Sequence, residues 1–336
     1  MNVLLTGGLG YIGSHTAVAL CQAGHQVVIY DDLSKSKVEV VRSIEKITGA
    51  KITFVKGNVL DLSKLRKVLR DNSVDAVIHF AGLKAVSDSV ISPINYYEVN
   101  VGGAISVVKA MNAERIKTLI FSSSATVYGA PKHLPISEIH SKQALNPYGQ
   151  TKLQIENMLE DLAGSDSSWR IACLRYFNPV GSHSSFLIGE NPLDIPNNLM
   201  PRIVRVASGL DKQLFVFGGD YPTLDGTCER DYIHVVDLAD GHLAALNHLE
   251  EQKLPLDFFN LGTGRSSSVL ELVSAFEETT GQKVPTVITE RRVGDTAICY
   301  ADVTKSKERL RWEAKRSLNE MCLSSWQYHN SHLNGV

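Results

Sequence analysis

Long apolar runs are missing from this chain of 336 residues. None approaches the ~20 consecutive apolar residues of a membrane-spanning helix, so no membrane partner is expected. An excess of one charge is missing too. Lys and Arg total 34 against 36 Asp and Glu, a net charge of -2, and the pI is near 6.6. No basic cluster asks for nucleic acid or an anionic surface. Cysteine is sparse and unpatterned: Cys21, Cys173, Cys228, Cys299 and Cys322 show no metal-ligand spacing, so no metal site is expected. Their odd number points to reduced thiols and a cytoplasmic protein. The opening run Met1–Gly7 reads as a strand from its first residues, so no targeting segment is expected before the fold. Repeats, low-complexity segments and flexible linkers are absent.

What is present is a hydrophobic fraction of 43%, enough for a sizeable core. Short apolar runs at Val3–Thr6, Gln26–Tyr30, Ile52–Val55, Ala76–Phe80, Thr118–Ser122 and Ile171–Tyr176 read as strands. Helical patterns lie between them, around Ile12–Gln22, Val38–Ile47, Leu62–Arg70, Tyr96–Met111 and Pro147–Leu162. Continuously apolar strands alternating with amphipathic helices predict a doubly wound, parallel Rossmann-type α/β sheet. Beyond Pro179 the pattern loosens, and residues 181–201 read as an ordered loop. Helices are expected at Met200–Ala207, Val235–His248 and Val269–Glu278, and strands at Leu214–Phe217 and Thr286–Thr289. The expected division is a dinucleotide-binding domain over 1–178 and a smaller substrate-binding lobe over 179–336, with some crossing of the chain between them.

Thr6-Gly7-Gly8-Leu9-Gly10-Tyr11-Ile12-Gly13 follows the first strand and opens the first helix. Gly7, Gly10 and Gly13 permit a tight turn and a close approach of backbone to a pyrophosphate, which then rests on the helix N-terminus. Asp31 ends the second strand, roughly 20 residues on, where a carboxylate takes ribose hydroxyls and repels a 2′-phosphate. NAD is therefore expected rather than NADP. In the middle of the chain, Asn146 and Pro147 signal a helix start. Tyr148 and Lys152 then share one face of that helix. A phenol beside an ammonium has its pKa driven down, as a general base needs.

The spacing G-x-x-G-x-x-G, Tyr148-x-x-x-Lys152 and the upstream Ser124 in Ser122–Gly129 resemble the extended short-chain dehydrogenase/reductase superfamily. Within it, the chain is similar to the UDP-glucose 4-epimerase family. That resemblance rests on residues 7–15, His79-Phe80-Ala81-Gly82-Leu83-Lys84-Ala85-Val86, residues 122–129, Leu174–Gly181, Ile195–Pro201 and Arg230–Val235. It implies interconversion of UDP-galactose and UDP-glucose with tightly bound NAD. Tyr148 would take the C4 hydroxyl proton with Ser124 as relay, the C4 hydride would move to NAD+, and a 4-keto sugar would turn over and receive it on the other face. The cofactor positions implied are Gly7, Gly10, Tyr11, Ile12, Gly13, Asp31, Asp32, Ser36, Asn58, Val59, Phe80, Ala81, Lys84, Ser124, Tyr148, Lys152 and Phe177. The UDP-sugar positions implied are Lys84, Ser124, Tyr148, Asn178, Asn198, Leu199, Phe215, Phe217, Arg230, Tyr232, Val269, Arg292, Asp295 and Cys299. A homodimer through the helices around Tyr96–Met111 and Pro147–Leu162 is implied as well.

The chain departs from the family pattern in three places. Asp32 stands where Asn is common. Asn58, where Asp is common, keeps a carbonyl acceptor for the adenine amine. Cys299 aligns with a pocket-wall position that is Tyr in some epimerases and small in others, which leaves room for a 2-acetamido group and hence for UDP-GlcNAc and UDP-GalNAc. Among competing readings, a 4,6-dehydratase needs an acid and a base where this chain has Ala125 and Thr126. A UDP-glucuronate decarboxylase needs a carboxylate-recognising site, for which no dedicated signal is present, though the sequence excludes it less firmly; intact Ser124, Tyr148 and Lys152 speak against a non-catalytic NAD-binding sensor.

Overall fold

The structure is a computed structural model that describes residues 1–193, 196–251, 254–292 and 294–333. Ile195, Val293 and the last three residues lie outside them.

Seven strands form the central sheet: β1 (Asn2–Thr6), β2 (Gln26–Asp31), β3 (Thr53–Lys56), β4 (Ala76–His79), β5 (Thr118–Ser124), β6 (Arg170–Tyr176) and β11 (Leu256–Leu261). Between β6 and β11 come β7 (Asn178–Val180), β8 (Leu214–Phe217), β9 (Glu229–Arg230) and β10 (Tyr232–His234). After β11 follow β12 (Ser267–Ser268), β13 (Thr286–Thr289) and β14 (Ile298–Cys299). The helices are α1 (Tyr11–Gln22), α2 (Glu39–Thr48), α3 (Leu62–Asp71), α4 (Val86–Ile91), α5 (Pro93–Tyr96), α6 (Gly103–Ala113), α7 (Pro147–Ser165), α8 (Leu199–Ala207), α9 (Val235–Glu251), α10 (Val269–Thr280), α11 (Thr304–Arg309) and α12 (Leu318–Leu333).

The sheet runs β11-β6-β5-β4-β1-β2-β3 with every pair parallel. Its strands are apolar throughout because both faces are covered. Side chains alternate between two cores: Val3 and Leu5 face the core that contains Ala17, Leu238 and Leu246, while Leu4 faces the core that contains Leu65, Val107 and Ile155. The strand order reverses beside β1, with β2 on one side and β4 on the other. In a sheet of this type the ligand crevice opens there, at the carboxyl ends of the strands. A third core, including Met200, Ile203, Val216, Leu272, Phe276 and Met321, organises the second lobe.

Three features differ from the sequence expectation. The seventh strand, Leu256–Leu261, lies in the second half of the chain and is not among the strands expected. The carboxy-terminal helix α12 was not expected either, because its apolar residues are interleaved with Ser, His and Asn. The helix expected over Tyr96–Met111 is broken into α5, a π-helical turn over Tyr97–Gly102, and α6. The turn ends on paired glycines; a Cβ on Gly103 would stand 2.8 Å from the Val59 side chain. Its wider pitch leaves Asn100 buried, where its amide binds the Leu83 backbone and Thr151.

Phe259, fully buried on the returning strand, tests whether that strand belongs to the common core. Phe259→Ala is expected to cost about 3–5 kcal/mol in denaturant unfolding, with a single cooperative transition. A second transition, or a loss below about 1 kcal/mol, would show that β11 is peripheral.

Candidate active site

The glycine loop is shaped by contacts that leave no room for side chains. Gly7 has φ +67°, and a Cβ on it would stand 2.7 Å from the Ala81 amide nitrogen; one on Gly13 would stand 2.6 Å from the Gly7 carbonyl. No side chain caps the start of α1 at Gly10, so its first-turn N–H groups meet no capping side chain. That is the arrangement that receives a phosphate. Asp31, buried, accepts from the Leu9 N–H (3.1 Å), the Leu33 N–H (2.9 Å) and the Ser36 hydroxyl (2.8 Å), closing the loop after β2 onto the glycine loop. The Asn58 amide reaches Asp32 at 3.4 Å, while its carbonyl accepts from the Leu60 N–H. Tyr11 donates to the Gly181 carbonyl at 2.6 Å, joining the first helix to the second lobe. Val59 and Phe177 are buried, Ile12 and Phe80 pack on the apolar core, and Ala81 donates its N–H to the Thr6 carbonyl at 3.0 Å.

The sequence brings Ser124 and Tyr148 together because β5 ends where α7 begins to pass over it. The Asn146 side chain accepts from the Gly149 N–H at 2.9 Å, and Pro147 fills the first helical position. The Ser124 side chain lies near enough to the Tyr148 phenol to lower its pKa, and it accepts from the Thr126 hydroxyl at 3.0 Å. Lys152 is buried; its ammonium donates to the Ser122 carbonyl at 2.7 Å and stands 5.0 Å from the centre of the Phe121 ring. The ammonium and the phenol lie on one face of α7, and the ammonium gives its hydrogen bond to β5. Its nitrogen is 5.9 Å from the Tyr148 ring centre and aims at the strand end instead. Burial pushes the Tyr148 phenol up, and the Ser124 side chain pulls it down. Burial likewise lowers Lys152 to about 8, opposed by the Glu156 carboxylate.

The second lobe gathers a charged and aromatic patch. Arg230 donates to the Glu229 and Thr296 carbonyls, each at 2.8 Å, and lies 3.8 Å from Asp295. Arg292 meets Asp295 at 3.1 Å and covers the Phe217 ring at 4.8 Å. Phe215 and Phe217 are the exposed side of β8, whose Leu214 and Val216 are buried. A cavity of about 360 Å³ is lined by Ala130, Leu134, Leu145, Asp295 and Ile298 among others. Lys84 and Asn198 converge on the Glu190 carboxylate, at 3.1 and 2.6 Å. Asn178 is exposed at the start of β7, and Leu199 starts α8. Tyr232 and Val269 sit in the third core rather than on an open surface. Cys299, half-buried, packs against the small core of Val127, Tyr128, Ile136, Phe177 and Ala301.

Sequence reasoning missed Asn100, Glu156, Arg175 and Glu190. Glu156 carried one signal: it falls a turn after Lys152, on the buried face of α7. The described residues hold no cluster suited to a metal ion and no helix long and apolar enough to cross a membrane.

A glycine-rich loop at the switch point, with Ser, Tyr and Lys at the ends of β5 and α7, defines an enzyme of the NAD-dependent short-chain dehydrogenase/reductase type. Residues 3–262 match the NAD dependent epimerase/dehydratase family, and the chain belongs to that family. The UDP-glucose 4-epimerase of Bacillus subtilis (strain 168) is 51% identical over 335 residues, which span 100% of this chain and 98% of that one. The crystal structure of the Stenotrophomonas maltophila UDP-glucose-4-epimerase, with bound NAD and formylated UDP-arabinopyranose, superposes with a TM-score of 0.98 at 47% identity over 100% of both chains. That of the Bifidobacterium longum UDP-glucose 4-epimerase, in complex with NAD+ and UDP, gives 0.96 at 45% identity, again over 100% of both.

The glycine loop makes a direct prediction. Gly7→Ala forces a side chain into left-handed backbone and against Ala81, so the purified variant should carry little nicotinamide cofactor by absorbance and release assay. Full retention would contradict the role given to the loop.

Proposed function

We propose that this chain is a UDP-glucose 4-epimerase, interconverting UDP-galactose and UDP-glucose through a 4-keto sugar. The single observation that carries the reading is the 2.7 Å hydrogen bond from Lys152 to the Ser122 carbonyl, which seats α7 with Tyr148 against β5 with Ser124, beside a glycine loop fitted to a dinucleotide. Bound NAD supplies the acceptor for the C4 hydride and returns it to the opposite face. Tyr148 takes the C4 hydroxyl proton as general base and gives it back, with Ser124 as hydrogen-bonding relay. Lys152 holds positive charge near the phenol and favours its ionised form. The glycine loop, Asp31, Asp32, Ser36, Asn58 and Lys84 hold the dinucleotide. Arg230 and Arg292 take the diphosphate, each matched to paired oxygens. Phe215 and Phe217 meet the uracil, with Asn178, Asn198 and Leu199 nearby. Gripping the nucleotide and leaving the hexose few partners lets the keto sugar turn without escape.

Ala125 and Thr126 argue against elimination, since neither side chain supplies the acid and base that a dehydratase needs. The proposal includes the larger sugars. Cys299 stands on a pocket-wall position, and its small side chain leaves room for a 2-acetamido group. It also includes a homodimer through the helices around Tyr96–Met111 and α7, and a cytoplasmic setting, which the five free thiols support.

Purified protein without added cofactor should convert UDP-galactose to UDP-glucose, and Tyr148→Phe should lower kcat by about 10²–10⁴-fold with bound cofactor retained. No turnover by the wild type, or full turnover by the variant, would overturn the reading. Cys299→Tyr should abolish conversion of UDP-GlcNAc while sparing UDP-galactose. An enzyme that never accepted UDP-GlcNAc would sink the extension to acetylated sugars.

A further inference from the structure

The Glu156 carboxylate is fully buried beneath the reacting groups. One oxygen accepts from the Ser123 hydroxyl at 2.6 Å and from Arg175 Nε at 2.9 Å; the other accepts from Arg175 Nη2 at 2.7 Å. Lys142 stands 3.6 Å away. Arg175, also buried, spends a further nitrogen on the Tyr128 hydroxyl (2.9 Å) and the Glu138 carbonyl (3.0 Å). Tyr128 in turn donates to Asn260 on β11 at 2.6 Å, and the Asn260 amide donates to the Ile136 carbonyl at 2.8 Å.

We propose that Glu156 and Arg175 are a positioning pair for the reaction, clamping α7 to β5 and β6 so that Lys152 and Ser124 stay registered on Tyr148. Three observations carry this. Glu156 lies one turn beyond Lys152 on α7. Ser123, which it holds, immediately precedes Ser124 on β5. The two-pronged fork to Arg175 fixes both distance and rotation, which a single hydrogen bond or an apolar contact does not. An apolar pair of similar volume often serves stability as well as a buried ion pair does. Geometry, rather than stability, is therefore the distinctive product of this clamp.

The pair also bears on charge. The titratable groups facing Lys152 are Tyr148 and Glu156 on its own helix and His79 on β4. Burial holds His79 neutral, at about 3, so it does not titrate in the alkaline range. Glu156 raises Lys152 against the lowering effect of burial. Removing its carboxylate makes Lys152 lose its proton at lower pH, and an activity that needs the ammonium loses its alkaline limb earlier.

The inference rests on the epimerase reading, and the test keeps the two apart. Wild type, the double variant Glu156→Met with Arg175→Leu, and Ser123→Ala are compared for thermal stability, retained cofactor, and kcat and KM on UDP-galactose across pH. Ser123→Ala leaves the ion pair intact and keeps the comparison decisive if the double variant does not fold. Expected are folded variants with bound cofactor, KM near the wild-type value, and kcat lowered about 10-fold or more in the double variant, since small misplacements at a reacting centre cost up to about 10²-fold. Ser123→Ala should show a smaller drop in kcat, and the double variant an alkaline limb moved to lower pH. Wild-type kcat and pH profile in folded variants, with only thermal stability reduced, would overturn the positioning role alone. An inactive wild type would overturn the epimerase reading and the inference with it.

Discussion

A buried ammonium sets the geometry of this protein. Lys152 is only 5% exposed, and burying a cation costs several kcal/mol unless it is matched. The match is the Ser122 carbonyl, on β5 just past its last pairing with β4, with the Phe121 ring 5.0 Å away and the Glu156 carboxylate one turn along α7. Meeting that requirement brings α7 across the carboxyl end of β5. Ser124 and Tyr148 then come into contact as a consequence, because each lies on the same two elements within a turn of the anchor. The helix start is held independently by the Asn146 cap, so Tyr148 enters the site at a defined angle.

The second lobe is attached with comparable economy. Within the stretch Arg230-Asp231-Tyr232-Ile233-His234, adjacent residues divide the work. Arg230 shares Asp295 with Arg292 in the charged patch. Asp231 is fully buried and accepts from the Thr263, Gly264 and Ala301 N–H groups at 2.7, 3.0 and 3.1 Å. Those bonds tie the strand carrying Arg230 to the loop after β11 and to the segment after Cys299. Tyr232 and Ile233 pass into apolar cores on either side. Arg230 is thus flanked by residues fixed in the core.

Much of the first lobe was legible because its signals are local. The glycine loop, the strand ends and the cap at Asn146 depend on backbone conformation over a few residues, and they fall within one or two residues of expectation. The missed elements depend on distant partners. Leu256–Leu261 is a short apolar run that could pair anywhere; only the vacant edge of β6 gives it a place. The π turn at Tyr97–Gly102 answers to Val59 and to the Leu83 loop, neither visible in helical periodicity. The hydrogen-bond partner of the Lys152 ammonium was hidden for the same reason. Spacing on a helix puts two residues on one face, but the backbone carbonyl that claims the ammonium belongs to another element. Glu156 and Arg175 look, in sequence, like an ordinary helix acid and strand base.

Function rests on one claim, that the hydrogen removed from C4 is kept inside the cleft and returned to the same carbon. Turnover of UDP-galactose in deuterium oxide, followed by magnetic resonance of the product, tests it most directly. UDP-glucose that retains its C4 hydrogen and gains no deuterium at that carbon is the expected result. Deuterium at C4 would mean exchange with solvent and would contradict a sealed redox cycle around Tyr148 and Lys152.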